Sequence, residues 1–309
     1  MTKELQPLLE VHNLKQHFDG DKYFVVKAVD GVSFNIYPGE TYGLVGESGS
    51  GKSTIGRSLI RLYEPTDGSI RFNGQEISGK LNRQQEKMLR TKMQMIFQDP
   101  MASLNPRKKI IESIVQGLEI HGLYKDAKER QEKGLEILER VGLSADFADR
   151  YPHQFSGGQR QRVGIARALI MDPQLIISDE AISALDVSIQ AQIINLMKDI
   201  QKEKNLSLLF IAHDLAMVKY ISDRIGVLHL GHLLETGTTE EIFNHPVHPY
   251  TQSLLSAIPH ANPRVEKNRV SKVYDYATSG FDYQKGVEHQ LSPTHSVWME
   301  ADKIDQYIR

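Results

Sequence analysis

Cysteine is absent from the 309 residues. That excludes disulfides, thiolate metal sites and cysteine-ligated iron–sulfur clusters. No apolar run approaches the roughly 18 residues of a membrane span, and Met1-Thr2-Lys3-Glu4-Leu5-Gln6 lacks the apolar core of a signal peptide. An excess of charge of either sign is also lacking, with 37 Lys and Arg against 39 Asp and Glu. The net charge is −2, which gives no global pull toward nucleic acid or anionic lipid. Neither an internal repeat nor a low-complexity tract is visible. These absences lead us to expect a cytoplasmic chain whose link to any membrane runs through a partner. What remains is a globular composition, 40% hydrophobic and 25% charged, long enough for one large domain or two modest ones.

The stretch Gly46-Glu47-Ser48-Gly49-Ser50-Gly51-Lys52-Ser53, followed by Thr54, organises the chain. It fits G-x-x-x-x-G-K-[ST], a loop whose backbone N–H groups can wrap phosphate oxygens. Tyr42-Gly43-Leu44-Val45 before it reads as a buried strand, and Ile55, Leu59 and Leu62 after it recur at helical spacing. Strand, loop and helix thus come in the order that aims a helix N-terminus at an anion. Lys52 would reach the β- and γ-phosphates, and the Ser53 hydroxyl would hold Mg²⁺.

In chain order, alternation predicts strands at 9–12, 23–26 and 32–36, with Pro38-Gly39 turning into the phosphate-loop strand. Ser69 to Phe72 resumes as strand after Pro65-Thr66-Asp67-Gly68. The front third therefore reads as a small antiparallel sheet around the first βα unit. A charged helical stretch over 78–92 precedes a short strand, 93–97. Residues 104–155 are mostly helical, with a stripe at Leu135, Leu138 and Val141 and a stop at Gly142. From 156 the pattern is again α/β. It includes the buried strands Leu175-Ile176-Ile177 and 206–212, a helix for which Asp186 is a candidate cap, and a hairpin over 225–235. Thr238-Thr239-Glu240-Glu241 opens a short helix as a capping box, and Pro249 suits the first turn of another. Residues 260–309, with sparse apolar positions such as Val297, Trp298, Ile304 and Ile308, predict a loosely attached extension without its own core.

A phosphate loop needs a carboxylate for Mg²⁺ and a group that activates water. Asp179 and Glu180, ending the strand Leu175 to Ser178, provide both: Asp179 toward the metal, Glu180 polarising the attacking water. Phe155-Ser156-Gly157-Gly158-Gln159-Arg160-Gln161-Arg162 is the most diagnostic stretch. It resembles the signature of the ATP-binding cassette (ABC) family, and the resemblance covers about residues 8 to 259. The fold it implies is α/β: a phosphate-loop core with a RecA-like parallel sheet, an antiparallel β subdomain, an inserted helical subdomain at about 99–155 and a C-terminal extension, 260–309. By that resemblance, two cassettes face head to tail, and Ser156, Gly157, Gly158 and Gln159 of each close over the ATP of the other. Gln98 matches the Q-loop glutamine that touches Mg²⁺ or water. Ser183-Ala184-Leu185-Asp186 matches the D-loop along the dimer seam, His213 the switch histidine at the γ-phosphate, and Phe18 the aromatic that stacks on adenine. Tyr23 and Phe24 compete for that last role. One departure is Ala181, where the family usually has proline.

Gln94 to Pro106, Ser183 to Gln192 and His248-Pro249-Tyr250-Thr251 look like the peptide-importer branch, similar to the F-type ATPase subunits of bacterial oligopeptide importers. Relatives serving dipeptides or nickel share these features. The resemblance implies ATP and Mg²⁺ as cofactors, and a second, paralogous D-type ATPase subunit as partner. It further implies two transmembrane permease subunits at the cytoplasmic face of the membrane and, indirectly, an extracellular peptide-binding lipoprotein. Nucleic acid is not an expected partner. A translation-associated cassette factor would carry two cassettes and a basic linker, and a chromosome-maintenance head would interrupt the cassette with a long coiled coil. Neither pattern is here. His245, His248 and His260 flank prolines and read as loop and cap residues, not as metal ligands.

Overall fold

Near-continuous apolar runs become the middle of an eight-stranded sheet. The computed structural model describes residues 6–20, 24–99, 103–183, 185–258 and 271–308. The parallel strands are β3 (Thr41–Val45), β6 (Met93–Ile96), β7 (Leu175–Asp179), β8 (Ser207–Ala212) and β9 (Arg224–His229). They lie in the order β9-β3-β8-β7-β6. Every residue of β3, β7 and β8 is buried, as a strand covered on both faces requires. Side chains alternate between two cores: Leu209 and Ile211 point into one, Leu208, Phe210 and Ala212 into the other.

The first core lies under helix α1 (Lys52–Leu59) and a four-stranded antiparallel sheet. That sheet is ordered β2 (Val25–Ile36), β1 (Leu9–Asp19), β4 (Asp67–Phe72), β5 (Gln75–Glu76). The front third thus holds two long strands where alternation suggested three short ones. Register shifts between Val11 and Leu14 and between Gln16 and His17 interrupt the period-two pattern without ending the pairing. Helix α2 (Arg83–Lys92) leads into β6. Leu62 is exposed, because α1 stops at Leu59 and does not reach it.

The second core joins α3 (Ile110–Ile120), α4 (Ala127–Arg140) and α5 (Gly157–Leu169) to α6 (Val187–Lys204) and α7 (Leu215–Ile221). Gly142, at φ 77, closes α4 as expected. β10 (His232–Thr238) forms the hairpin with β9, and then α8 (Thr239–Asn244) and α9 (Pro249–Ser256) follow.

The C-terminal extension differs most from expectation. Its strands β11 (Val287–Gln290) and β12 (Ser296–Met299) continue the main sheet, β12 pairing with β10. Phe281, Tyr283, Val297, Met299 and Ile304 are buried in the second core. It is therefore firmly attached, for two reasons. A long-range strand pairing holds it, and tyrosines with histidines do the packing that a count of aliphatics misses.

Glu241 helps to fasten it. Its carboxylate accepts the Thr238 amide at 2.8 Å, completing the predicted capping box, and also the hydroxyls of Ser292 at 2.5 Å and Thr294 at 2.9 Å. Burial pushes its pKa up, but these donors outweigh burial and bring it to about 2. The folded value lies below the ordinary 4.5, so the contribution is present above pH 4.5 and lost as pH falls toward about 2. Glu241→Gln should lower stability at neutral pH by about 1 kcal/mol, allowing for partial exposure. Urea unfolding across that acid range should show a flatter pH dependence than the wild type.

Candidate active site

The phosphate loop joins the C-terminal end of β3 to the N-terminus of α1 and is wedged from outside. A Cβ on Gly46 (φ 152) would meet the Leu228 carbonyl oxygen at 2.0 Å, and one on Gly51 (φ 107) the Ala28 carbonyl at 2.2 Å. Only glycine fits at these two positions. Gly231, at the β9–β10 turn, donates its N–H to the Ser50 carbonyl at 2.9 Å. Glu47 donates its own to the Tyr250 hydroxyl at 3.0 Å. Among the described residues, the amides of Ser48, Gly49, Gly51, Lys52, Ser53 and Thr54 have no acceptor within the chain. They form a concave set of free donors on a positive helix end, as an anion requires.

Lys52 lies buried across the loop, its ammonium donating to Gly46 O and Glu47 O at 2.8 Å and to Ser50 Oγ at 3.3 Å. Burial pushes its pKa below the usual lysine value, while Glu180, Asp179 and Glu47 pull the other way. Ser53 Oγ donates to Asp179 Oδ1 at 2.6 Å. Asp179 is almost fully buried, which raises its pKa; Ser53, Arg57 and Lys52 oppose the rise, and Glu180 adds to it. Arg57 Nη2 stands 3.8 Å from Asp179 Oδ2.

One residue on, Glu180 takes a left-handed backbone (φ 45) that turns its side chain out of the strand. Gln98 Nε2 donates to its Oε2 at 3.2 Å, and His213 Nδ1 lies 3.5 Å from the same oxygen. The strand ends of β6, β7 and β8 thus bring Gln98, Asp179, Glu180 and His213 together beside the phosphate loop. These residues are far apart in sequence, and parallel strand order alone makes them neighbours.

Other expected site residues stand apart. Ser156 caps α5, in a reciprocal box with Gln159, and Gly158 packs toward Ile189 of α6. Among the described residues, none of Ser156 to Gln159 hydrogen-bonds the phosphate loop. Asp186 occupies the N-cap position of α6, yet its side chain accepts no capping bond; only its carbonyl receives the Ile189 and Gln190 amides. Phe18 sits in β1 with its ring 5.2 Å from that of Tyr63, edge-on. Phe24 is two-thirds exposed. Tyr23, Ala184 and His260 lie outside the described residues. His245 and His248 terminate α8 and cap α9, as read from their prolines. Sequence reasoning missed the contacts of Tyr250 with Glu47 and of Arg57 with Asp179. The His248-Pro249-Tyr250 stretch was a visible signal for the first; the second had none.

An amide cradle, an acidic strand end and an inserted helical lobe with a capped glycine helix together define a phosphate-loop ATPase of cassette type. A family described as "ABC transporter" matches residues 29–183, and "Oligopeptide/dipeptide transporter, C-terminal region" matches 234–279. The chain belongs to the ABC transporter family and is an ATP-binding ATPase. Among its relatives is the "Oligopeptide transport ATP-binding protein OppF" of Bacillus subtilis (strain 168). It is 61% identical over 94% of this chain and 96% of the relative. The "Dipeptide transport ATP-binding protein DppF" of Lactococcus lactis is 51% identical, over 98% and 97% respectively. Among solved structures, an ATP-binding cassette determined as a dimer in a post-hydrolysis state, bound to ADP and Pi, is similar. Its TM-score is 0.68 at 29% identity, covering 75% of this chain and 98% of that one.

Proposed function

We propose that the chain is the ATP-hydrolysing subunit of an importer that takes up oligopeptides, working at the cytoplasmic face of the membrane. The carrying observation is the meeting of Ser53, Asp179, Glu180, Gln98 and His213 beside a cradle of unpaired amides. In this reading Gly46 to Thr54 hold the phosphates, Lys52 neutralises them, and Glu180 takes a proton from the attacking water. Gln98 and His213 orient the Glu180 carboxylate. Phe18 is the proposed adenine platform. The hard oxygens of Ser53 and Asp179, already 2.6 Å apart, suit Mg²⁺ together with Gln98. When bound, the ion would neutralise phosphate charge. The nucleotide-binding domain is proposed to run over 8–259, with the helical subdomain at about 99–155 and the extension at 260–309.

Ser156 to Gln159 and Asp186 are assigned to the ATP of a second cassette, because within one chain they do not meet the phosphate loop. That second cassette is proposed to be a paralogous D-type subunit, with two permease subunits above the pair and a peptide-binding lipoprotein outside. ATP binding would favour the closed pair, and hydrolysis would release it.

A groove of about 460 Å³ between the helical subdomain and the core, lined by Leu62, Phe97, Ile120, Gln161 and Arg167, is the proposed seat of a cytoplasmic permease helix. Leu62 and Ile120 are exposed apolar side chains at its edge, and buried Gln161 Nε2 and Ser113 Oγ have no partner. Such a surface fits an amphipathic helix with a polar contact at its centre. Reconstituted with its partners, the chain should drive ATP-dependent peptide uptake. Ile120→Glu should cut that uptake by about tenfold or more, since a desolvated carboxylate costs well over the 1.4 kcal/mol of one decade. ATP turnover should persist. Unchanged uptake by this variant would remove the groove from the reading.

A further inference from the structure

The Gly46–Glu47 peptide is gripped at both ends. Its carbonyl, Gly46 O, accepts the Lys52 ammonium at 2.8 Å, and its amide, Glu47 N–H, donates to the Tyr250 hydroxyl at 3.0 Å. Gly46, at φ 152, has no side chain to resist rotation of that peptide. If the peptide turned over, the carbonyl would leave Lys52 and the amide would lose its acceptor. Tyr250 therefore sits one peptide away from the lysine that faces the phosphates.

Tyr250 is itself firmly held. It is 1% exposed, and its ring stacks on His229 at 4.1 Å between centroids. His229 Nδ1 pairs with the Tyr283 hydroxyl at 2.8 Å, and Tyr283 with the Tyr274 hydroxyl at 3.0 Å. The turn into α9 is clamped by the buried Glu235 carboxylate. It accepts the Val247 and His248 amides at 2.8 and 3.0 Å and meets His295 Nε2 at 2.8 Å. His248 Nδ1 accepts the Tyr250 amide at 3.1 Å. Burial brings His229 to about 4 and His248 to about 3, so both rings are neutral at physiological pH and add no charge behind the loop. Three residues of this assembly, Tyr274, Tyr283 and His295, come from the C-terminal extension.

We propose that Tyr250 is a positioning residue of the ATP site. Through the Gly46–Glu47 peptide it fixes Lys52 and the amide cradle before nucleotide arrives. The inference rests on the reading of residues 46–54 as the ATP site.

Tyr250→Phe removes the hydroxyl and keeps the ring. In the full-length chain its dissociation constants for Mg-ATP and ADP should rise about three- to tenfold, the range of one hydrogen bond. In the reconstituted transporter KM for ATP should rise similarly, with kcat within about twofold. The Glu47 amide should exchange hydrogen slowly in the nucleotide-free wild type and faster in the variant. Tyr283→Phe is the control, because it deletes a hydroxyl from the same aromatic cluster without touching the loop. It should leave ATP affinity unchanged even where thermal stability falls. Wild-type affinity in Tyr250→Phe, or equal losses in both variants, would overturn the proposal. Failure of the wild type to bind ATP would instead overturn the site assignment beneath it.

Discussion

Glu180→Gln is expected to lower ATP turnover by about 10²–10⁴-fold, the usual contribution of a general base, while leaving ATP affinity within about twofold. The substitution keeps the side chain's size and an oxygen that can accept from Gln98 Nε2, now at 3.2 Å. What is lost is the carboxylate's negative charge and, with it, its basicity. The left-handed backbone at Glu180, tied by its N–H to the Ile211 carbonyl at 3.0 Å and by its carbonyl to Ser183, should persist. Neighbouring Ala181, which stands where the family usually has proline, is buried in the second core, and the hydrogen bonds that hold Glu180 run to Ile211 and Ser183, so hydrolysis should survive its presence. Single-turnover assays on the assembled pair of cassettes, beside equilibrium ATP binding, separate chemistry from affinity. A variant retaining a tenth or more of wild-type turnover would exclude Glu180 as the base.

Lys52→Ala should act earlier, on binding. The ammonium feels three acidic residues, Glu180, Asp179 and Glu47, whose charges all favour its protonated form. Its removal leaves the Gly46 and Glu47 carbonyls without their donor and turns the site's local balance negative just where phosphates must enter. A charge-assisted hydrogen bond contributes about 1.5–3 kcal/mol, and here repulsion from the acidic pair adds to that loss. ATP affinity should fall about 10²-fold or more. Titration with a fluorescent ATP analogue measures this, and thermal unfolding of the nucleotide-free chain shows whether the fold survives. An affinity within threefold of wild type would mean that the amides alone hold the nucleotide.

The two variants separate two kinds of information in the chain. Lys52 was legible because its setting is local: glycines, lysine and serine at fixed spacing shape their own loop, whatever surrounds it. The strand of Leu175 to Asp179 was legible for a similar reason, since a strand buried on both faces must be apolar throughout. Elements with one exposed face were less so. β1 and β2 run longer than their apolar alternation, because bulges shift register without stopping the hydrogen-bond ladder. Leu62 matched the helical period yet falls beyond the helix, where it borders the groove.

The C-terminal extension was misjudged because its burial relies on Tyr274, Tyr283, His229 and His248, residues that become core material only once their polar atoms find partners. No local pattern announces such pairing. By itself, the sequence picked out the phosphate-loop motif and the acidic strand end and their order along the chain, because spacing within one loop or one strand end suffices for that. Only the tertiary structure decided that Gln98 and His213 converge on one carboxylate oxygen and that Tyr250 holds the Glu47 amide across 203 residues of chain. Those facts depend on strand order and long-range packing, to which any single stretch of residues is blind.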